Sequence, residues 1–225
     1  MNRKEFLRAL GGTAILPVIP RAIVGSAEAA APAAASCQFS PTLPDGPFYF
    51  DPKLFRSNIT DSKVGVPIEY RLGVVNAACQ PVANAVVDIW QSDADGVYSG
   101  YDGQITGANT KGQTFLRGMQ KTDAKGMTKF TAIYPGWYPR RVPHLHVKIH
   151  LSPKEVITTN LFFPDSISNE VYATQHYKSR GPSPMTVAQD VELKGDEARL
   201  KTLMFNLAKG SGGSYTGTYT FGVSA

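Results

Sequence analysis

The chain has 225 residues, 42% of them hydrophobic, and a formal net charge of +5. That length and apolar content suffice to bury a core of one domain, or at most two. Arg3, Lys4, Arg8 and Arg21 against Glu5 and Glu28 place +2 of the charge before residue 30. The remainder carries about +3 and no long basic run, so nucleic acid is not an expected partner.

Residues 1–29 read as an export signal that is cleaved: a basic start, a weakly apolar middle and small residues with an A-x-A site at Ala27 and Ala29. The stretch "RKEFL" is similar to a twin-arginine signal with Lys4 in the second position, and an ordinary secretory signal fits as well. Pro17, Pro20 and Arg21 make a poor spanning helix, so no stable membrane span is expected. Residues 30–225 are expected to form a single domain, exported to the periplasm or outside the cell. Cys37 and Cys79 are the only cysteines. In an oxidising compartment an even count favours a disulfide between them. "AAASC" lacks the large apolar residue that a lipidated Cys37 would need, and no Cys-x-x-Cys pair is present.

Strand signals then dominate. "PIEYRLGVV" alternates with Ile68, Tyr70, Leu72 and Val74 on one face, and "AVVDIWQ" follows after "NAACQPVAN", predicting an antiparallel pair. "TFLRGMQKT" and "TKFTAIY" flank "DAKG" and read as a hairpin. "HLHVKIH", "VITTNLFF", "LMFNLA" and "YTGTYTFGV" bring the count to at least eight short strands. "SNEVYATQHYK" is the one helical segment, with Ser168 as its N-cap. Short strands with turn residues between them predict a mainly β chain folded as a β-sandwich with one short helix. The Gly- and Asp-rich stretch 92–112 is long for a structureless loop, which marks it as functional.

In the strand 144–150, His144, His146, Lys148 and His150 point one way, and Leu145, Val147 and Ile149 point toward the core. A His-x-His pair on one strand sets two imidazoles side by side, suited to one metal ion, although a solvated strand can carry the same residues. Cysteine and clustered carboxylate ligands are scarce nearby, and tyrosine is the remaining donor. Tyr134 and Tyr138 stand in a bend shaped by Pro135, Gly136 and Pro139; Tyr98 and Tyr101 stand in the glycine-rich loop. Phenolate is a hard anionic donor, and two of them with two imidazoles would select ferric iron over zinc or copper. Trp90 and Phe162 read as core residues, and His150 and His176 as solvated or hydrogen-bonded ones.

The segments "PTLPDGPFYFD", "VDIWQSDADGVYSGYD" and "AIYPGWYPRRVPHLHVKIH" together resemble the intradiol ring-cleavage dioxygenase family, in particular its exported stand-alone members, over about residues 37–223. The resemblance implies a mixed β-sandwich of the intradiol (transthyretin/Ig-like) type holding one non-haem Fe(III) per chain. Its implied ligands are Tyr98 and His144 in the equatorial plane, and Tyr138 and His146 on the axis. It implies cleavage of a catechol-type diol between its hydroxyl-bearing carbons, both atoms of O2 entering a cis,cis-muconate-type product. Tyr138 would leave the metal and take up a substrate proton, and Arg141 would stabilise negative charge on the ring, while Arg140 matches no family position. Asn160, standing where the family commonly has glutamine, is the implied substrate contact; Trp137, beside the bend, is read as either a further substrate contact or a residue that packs the bend. Two further departures are a shorter bend between Tyr138 and His144, which implies a more open site, and the absence of long N-terminal dimerising helices. A homo-oligomer is compatible with the sequence.

Two other classes fit parts of the chain. One is a secreted transthyretin-like sandwich that binds a small ligand or carbohydrate without catalysis, for which neither Tyr98 nor Tyr138 would matter. The other is a zinc hydrolase built on His-x-His, which needs a third nitrogen or carboxylate ligand, with Asp93, Asp95 or Asp102 on offer.

Overall fold

In a computed structural model of the protein, residues 37–104, 106–152 and 156–224 are described. The export signal expected over residues 1–29 lies outside them. Eight strands run in chain order as β1 (Pro67–Val75), β2 (Val86–Trp90), β3 (Arg117–Lys121), β4 (Met127–Ile133), β5 (His144–His150), β6 (Val156–Phe162), β7 (Asn206–Lys209) and β8 (Tyr215–Gly222). They form two four-stranded sheets, ordered β4-β1-β8-β7 and β3-β2-β5-β6. Only β1 and β8 run parallel; every other pair is antiparallel. This is the mixed β-sandwich the sequence predicts.

The alternation of β1 holds: Ile68, Tyr70, Leu72 and Val74 are all buried, and they face Val87 and Ile89 of β2 and Leu145, Val147 and Ile149 of β5 within one core. Burying one such aliphatic side chain stabilises the fold by about 1.5–3 kcal/mol. The expected pairing of β1 with β2 is wrong, because the two strands lie in different sheets. The connection starts as a turn, closed by Asn76 Oδ1, which accepts from Ala78 N and Gln80 N at 3.0 Å, and then crosses the sandwich. The "DAKG" hairpin is overturned on the same ground. Asp123 does close a tight turn, its Oδ1 accepting from Lys125 N at 2.8 Å and Met127 N at 2.9 Å, but β3 pairs with β2 and β4 with β1. A sharp turn fixes a reversal; which sheet receives the next strand depends on partners far away in sequence.

The helix begins earlier than expected. It is α1 (Asp165–Tyr172), capped by Pro164, so Ser168 lies inside it and its hydroxyl meets Tyr134 Oη at 2.9 Å. A second short helix, α2 (Glu197–Thr202), starts at Asp196, whose side chain accepts from Arg199 N.

The outer face of the β3-β2-β5-β6 sheet is not solvated. The N-terminal arm crosses it, tied at its start by the Cys37–Cys79 disulfide, which spans 42 residues. A crosslink of that span stabilises by about 4 kcal/mol on the chain-entropy account. Further along, Asp45 takes a hydrogen bond from Lys148 Nζ at 2.5 Å, Tyr49 packs against Trp90 with ring centroids 4.7 Å apart and planes tilted by 52°, and Tyr49 Oη donates to Asp88 Oδ2 at 3.1 Å. Arg117 Nη2 donates to Phe48 O at 2.8 Å, its guanidinium lying over the Phe50 ring. Polar side chains on this face are therefore sealed under the arm.

Asp88 carries the cost. Burial pushes its carboxyl up to about 7, against the pull of the Tyr49 hydroxyl, Arg117 and Lys148. The unfolded chain loses this proton near pH 4, so between about pH 4 and 7 the folded state holds a proton that the unfolded state has released, and stability falls as pH rises. Asp88→Asn keeps an acceptor for Tyr49 and removes the charge. Thermal unfolding from pH 3.5 to 8 is expected to show the variant gaining on the wild type across that window and the gap vanishing at the acid end. A gap that does not change with pH would contradict this reading of Asp88.

Candidate metal and substrate site

Two loops carry the phenols. Tyr98 follows β2 through residues 91–97, and Tyr138 lies in the bend after β4. They meet because Gly136 N donates to Asp93 O at 2.8 Å and Ser92 Oγ to Gly136 O at 2.8 Å. A Cβ on Gly136 would fall 2.5 Å from both Asp93 O and Gly96 N, so any larger residue forces the loops apart. Gly96, at φ 78°, lies just as close beneath the Trp137 carbonyl. Asp93 fixes its own loop, accepting from Asp95 N and Val97 N at 3.0 Å and from Lys63 Nζ at 2.8 Å.

The bend closes tightly. Tyr138 and Arg141 exchange backbone hydrogen bonds of 3.2 and 2.9 Å, with exposed Arg140 between them at φ 71°. That pairing sets the Arg141 side chain beside Tyr138. His144 and His146 then project from β5 onto the covered outer face, both 1% exposed.

Four donor atoms converge there. His144 Nε2 lies 3.3 Å from Tyr98 Oη, 3.2 Å from Tyr138 Oη and 3.0 Å from His146 Nε2. His144 Nδ1 lies 2.7 Å from Val142 O, which can only accept, so the ring proton sits on Nδ1 and Nε2 presents a lone pair. Burial holds both imidazoles well below their usual pKa, and the Arg141 charge adds to this, so both are neutral. Burial also raises both phenols, while Arg141 pulls Tyr138 back down. A cation at the centre would supply the countercharge that two buried phenolates lack.

The surroundings hold this cluster in place. Trp90 is buried as expected, 1% exposed, but outside the main core cluster, and its ring stacks on His146, with centroids 4.7 Å apart and planes 6° from parallel. The alternation of β2 puts it on the covered face, directly opposite His146 in the ladder. Phe162 does join the core, with His144 6.1 Å away. Asn160, opposite His146 on β6, is 1% exposed. With its amide nitrogen turned toward His146 Nδ1 at 2.7 Å and Thr159 O at 3.0 Å, its oxygen accepts from Arg141 Nη2 at 2.9 Å. Trp137 stands apart: its Nε1 donates to Gly181 O at 3.0 Å, and the Arg180 guanidinium covers its ring at 4.1 Å.

Three residues absent from the sequence-level site belong to its surroundings. Phe48, from the arm, stacks on Tyr98 at 4.6 Å and meets Tyr138 edge-on at 6.1 Å. With Gly96, Gln104, Thr106 and Tyr138 it lines a recess at the cluster. Val142 contributes its carbonyl. Asp190, 49 residues beyond Arg141 in the chain, binds Arg141 Nε through both oxygens, at 3.0 and 3.1 Å. Tyr101 and Tyr134 are engaged elsewhere, with Tyr49 O and Ser168. His176 is exposed. His150 is half-buried, and its Nε2 has no partner among the described residues. Among the described residues no group of three or more His, Cys, Asp or Glu converges, so the third ligand a zinc hydrolase needs is not provided.

The profile of the family described as Dioxygenase matches residues 45–179, more than half of the chain. No curated protein matches. Among solved structures, an intradiol ring-cleavage dioxygenase from Tetranychus urticae superposes with a TM-score of 0.76 at 29% identity, over 84% of this chain and 95% of that one. The dioxygenase domain of a dioxygenase carbohydrate-binding protein fusion from Streptomyces sp. SirexAA-E gives 0.61 at 25% identity, over 84% and 99%. 3-Chlorocatechol 1,2-dioxygenase from Rhodococcus opacus 1CP shares the fold, with a TM-score of 0.55 at 21% identity, over 84% and 73%. With the family profile spanning arm, loop, bend and histidine strand, the chain belongs to the intradiol ring-cleavage dioxygenase family.

Proposed function

We propose that this protein is a non-haem Fe(III) dioxygenase that opens a catechol-type ring between its two hydroxyl-bearing carbons, with Tyr98, Tyr138, His144 and His146 as the iron ligands. The observation that carries the reading is the crowding on His144 Nε2. Two phenols and a second imidazole lie within 3.3 Å of a nitrogen that has one lone pair to offer. That lone pair accepts one hydrogen bond, and the two phenols can otherwise only pair with each other, whereas a cation shared by the four atoms engages all of them. The disulfide supports action in an oxidising compartment and hence export.

Held by Tyr98, Tyr138, His144 and His146, Fe(III) would supply Lewis-acid and redox chemistry to a catecholate ring. The chain's own groups do the rest. Val142 O and Asn160 fix the two imidazole rings from behind, and Trp90 holds the plane of His146. Tyr138 lies at the recess with Arg141 next to it, so its oxygen is the one placed to take a proton from an incoming catechol hydroxyl. The Arg141 guanidinium then stabilises negative charge that develops on the ring. Phe48 covers Tyr98 and keeps water from the buried side.

The reading is tested with an oxygen electrode and ferric-loaded protein. Catechol is expected to consume one O2 per molecule and to yield a muconate carrying both oxygen atoms from ¹⁸O2. Catechol that binds without O2 uptake would instead support a ligand-binding sandwich. Asn160→Leu separates two roles for that residue. As support for His146 its loss weakens iron binding by roughly 10- to 100-fold, whereas a substrate contact would raise KM and leave iron content unchanged.

A further inference from the structure

Arg141 is held by two groups of different character. Its Nη2 lies 2.9 Å from one end of the Asn160 amide, whose other end lies 2.7 Å from His146 Nδ1; with the amide oxygen on the Arg141 side that end accepts from Nη2. Its Nε reaches both oxygens of Asp190, a fully buried carboxylate that also accepts from Val142 N and Glu192 N at 3.0 Å. The first bond exists in only one orientation of the amide, and that orientation is not the one a metal-bound His146 requires. An imidazole that gives its Nε2 lone pair to a metal carries its proton on Nδ1, and that proton needs the Asn160 oxygen as acceptor. The amide must turn over, presenting its NH2 to Arg141, where donor would face donor. Asp190 is then the group that still grips the guanidinium.

We propose that Asp190 is the positioning residue of the site: it fixes Arg141 by Nε so that, in the metal-loaded protein, the Nη2 that Asn160 no longer holds faces the bound aromatic diol. The proposal rests on the function proposed above. Asp190 lies beyond residue 179, outside the stretch that the family profile matches. Its bond to Val142 N also joins the support of Arg141 to the segment whose carbonyl orients His144. The site therefore depends on the chain from 187 to 196, remote in sequence from every ligand.

The test is a double-mutant cycle on ferric-loaded protein with Asp190→Asn, Arg141→Met and the pair. Asp190→Asn is expected to lower kcat/KM for catechol, expressed per bound iron, by roughly 10- to 100-fold, and to lower the melting temperature as well, since a buried ion pair is broken. In the Arg141→Met background the same change is expected to cost nothing further. An equal loss in both backgrounds, or a loss that disappears once rates are expressed per bound iron, would mean that Asp190 only props the fold, and would overturn the proposal. A second measurement needs no variant. In wild type loaded with Ga(III), a diamagnetic stand-in for Fe(III), the Arg141 Nε–H is expected to exchange slowly with solvent by ¹⁵N NMR; fast exchange overturns the proposal. Failure of the wild type to consume O2 with catechol is a separate result, and it counts against the proposed function itself.

Discussion

The lone pair of His144 Nε2, buried and approached by three other donors, is the constraint around which the rest of the site is built. The proton on Nδ1 is held there by Val142 O, so the nitrogen facing the phenols cannot become a donor. Water cannot relieve the crowding, since both histidines are 1% exposed. Each surrounding element works to keep four atoms within reach of one point: the Gly136 contact joins the two tyrosine loops, the Tyr138–Arg141 pairing turns the bend back, and Trp90 stacks behind His146.

Sealing such a face is expensive, and the N-terminal arm is how this fold does it. A sheet with Asp88, Lys148, Arg117 and two histidines on one face would ordinarily leave that face to solvent. Here each buried charge meets a partner from the arm or from a neighbouring strand: Asp45 for Lys148, Tyr49 for Asp88, Phe48 O for Arg117. The disulfide anchors the start of the arm to the β1–β2 turn, which limits the entropy lost when it is laid across the sheet. Arm and site are one cooperative unit, because Phe48 and Tyr49 cover the rings that form the cluster.

Much of this was legible in the sequence, and what escaped has a physical reason. All eight strands were visible because alternation and turn residues are local signals. Their assignment to sheets was not, since "NAACQPVAN" and "DAKG" encode reversals without saying where the next strand lands. Trp90 reads as core and is buried, yet the period of β2 puts it on the same side as Asp88, so it is covered by the arm and not by the opposite sheet. The arm motif "PFYF" is legible only through family resemblance, because no periodicity links it to β5. Asp190 carried no signal at all: a lone aspartate between helical turns looks like any cap until the fold brings it 3.0 Å from Arg141.

The central claim is that two phenolates and two imidazoles hold ferric iron, and a visible absorption spectrum of the Fe(III)-reconstituted protein tests it most directly. A red-brown tyrosinate-to-Fe(III) band that shifts when catechol is added without O2, and that is altered in Tyr138→Phe, is the expected result. A protein that stays colourless after reconstitution would contradict the account, leaving a covered β-sandwich whose crowded polar centre has no metal to explain it.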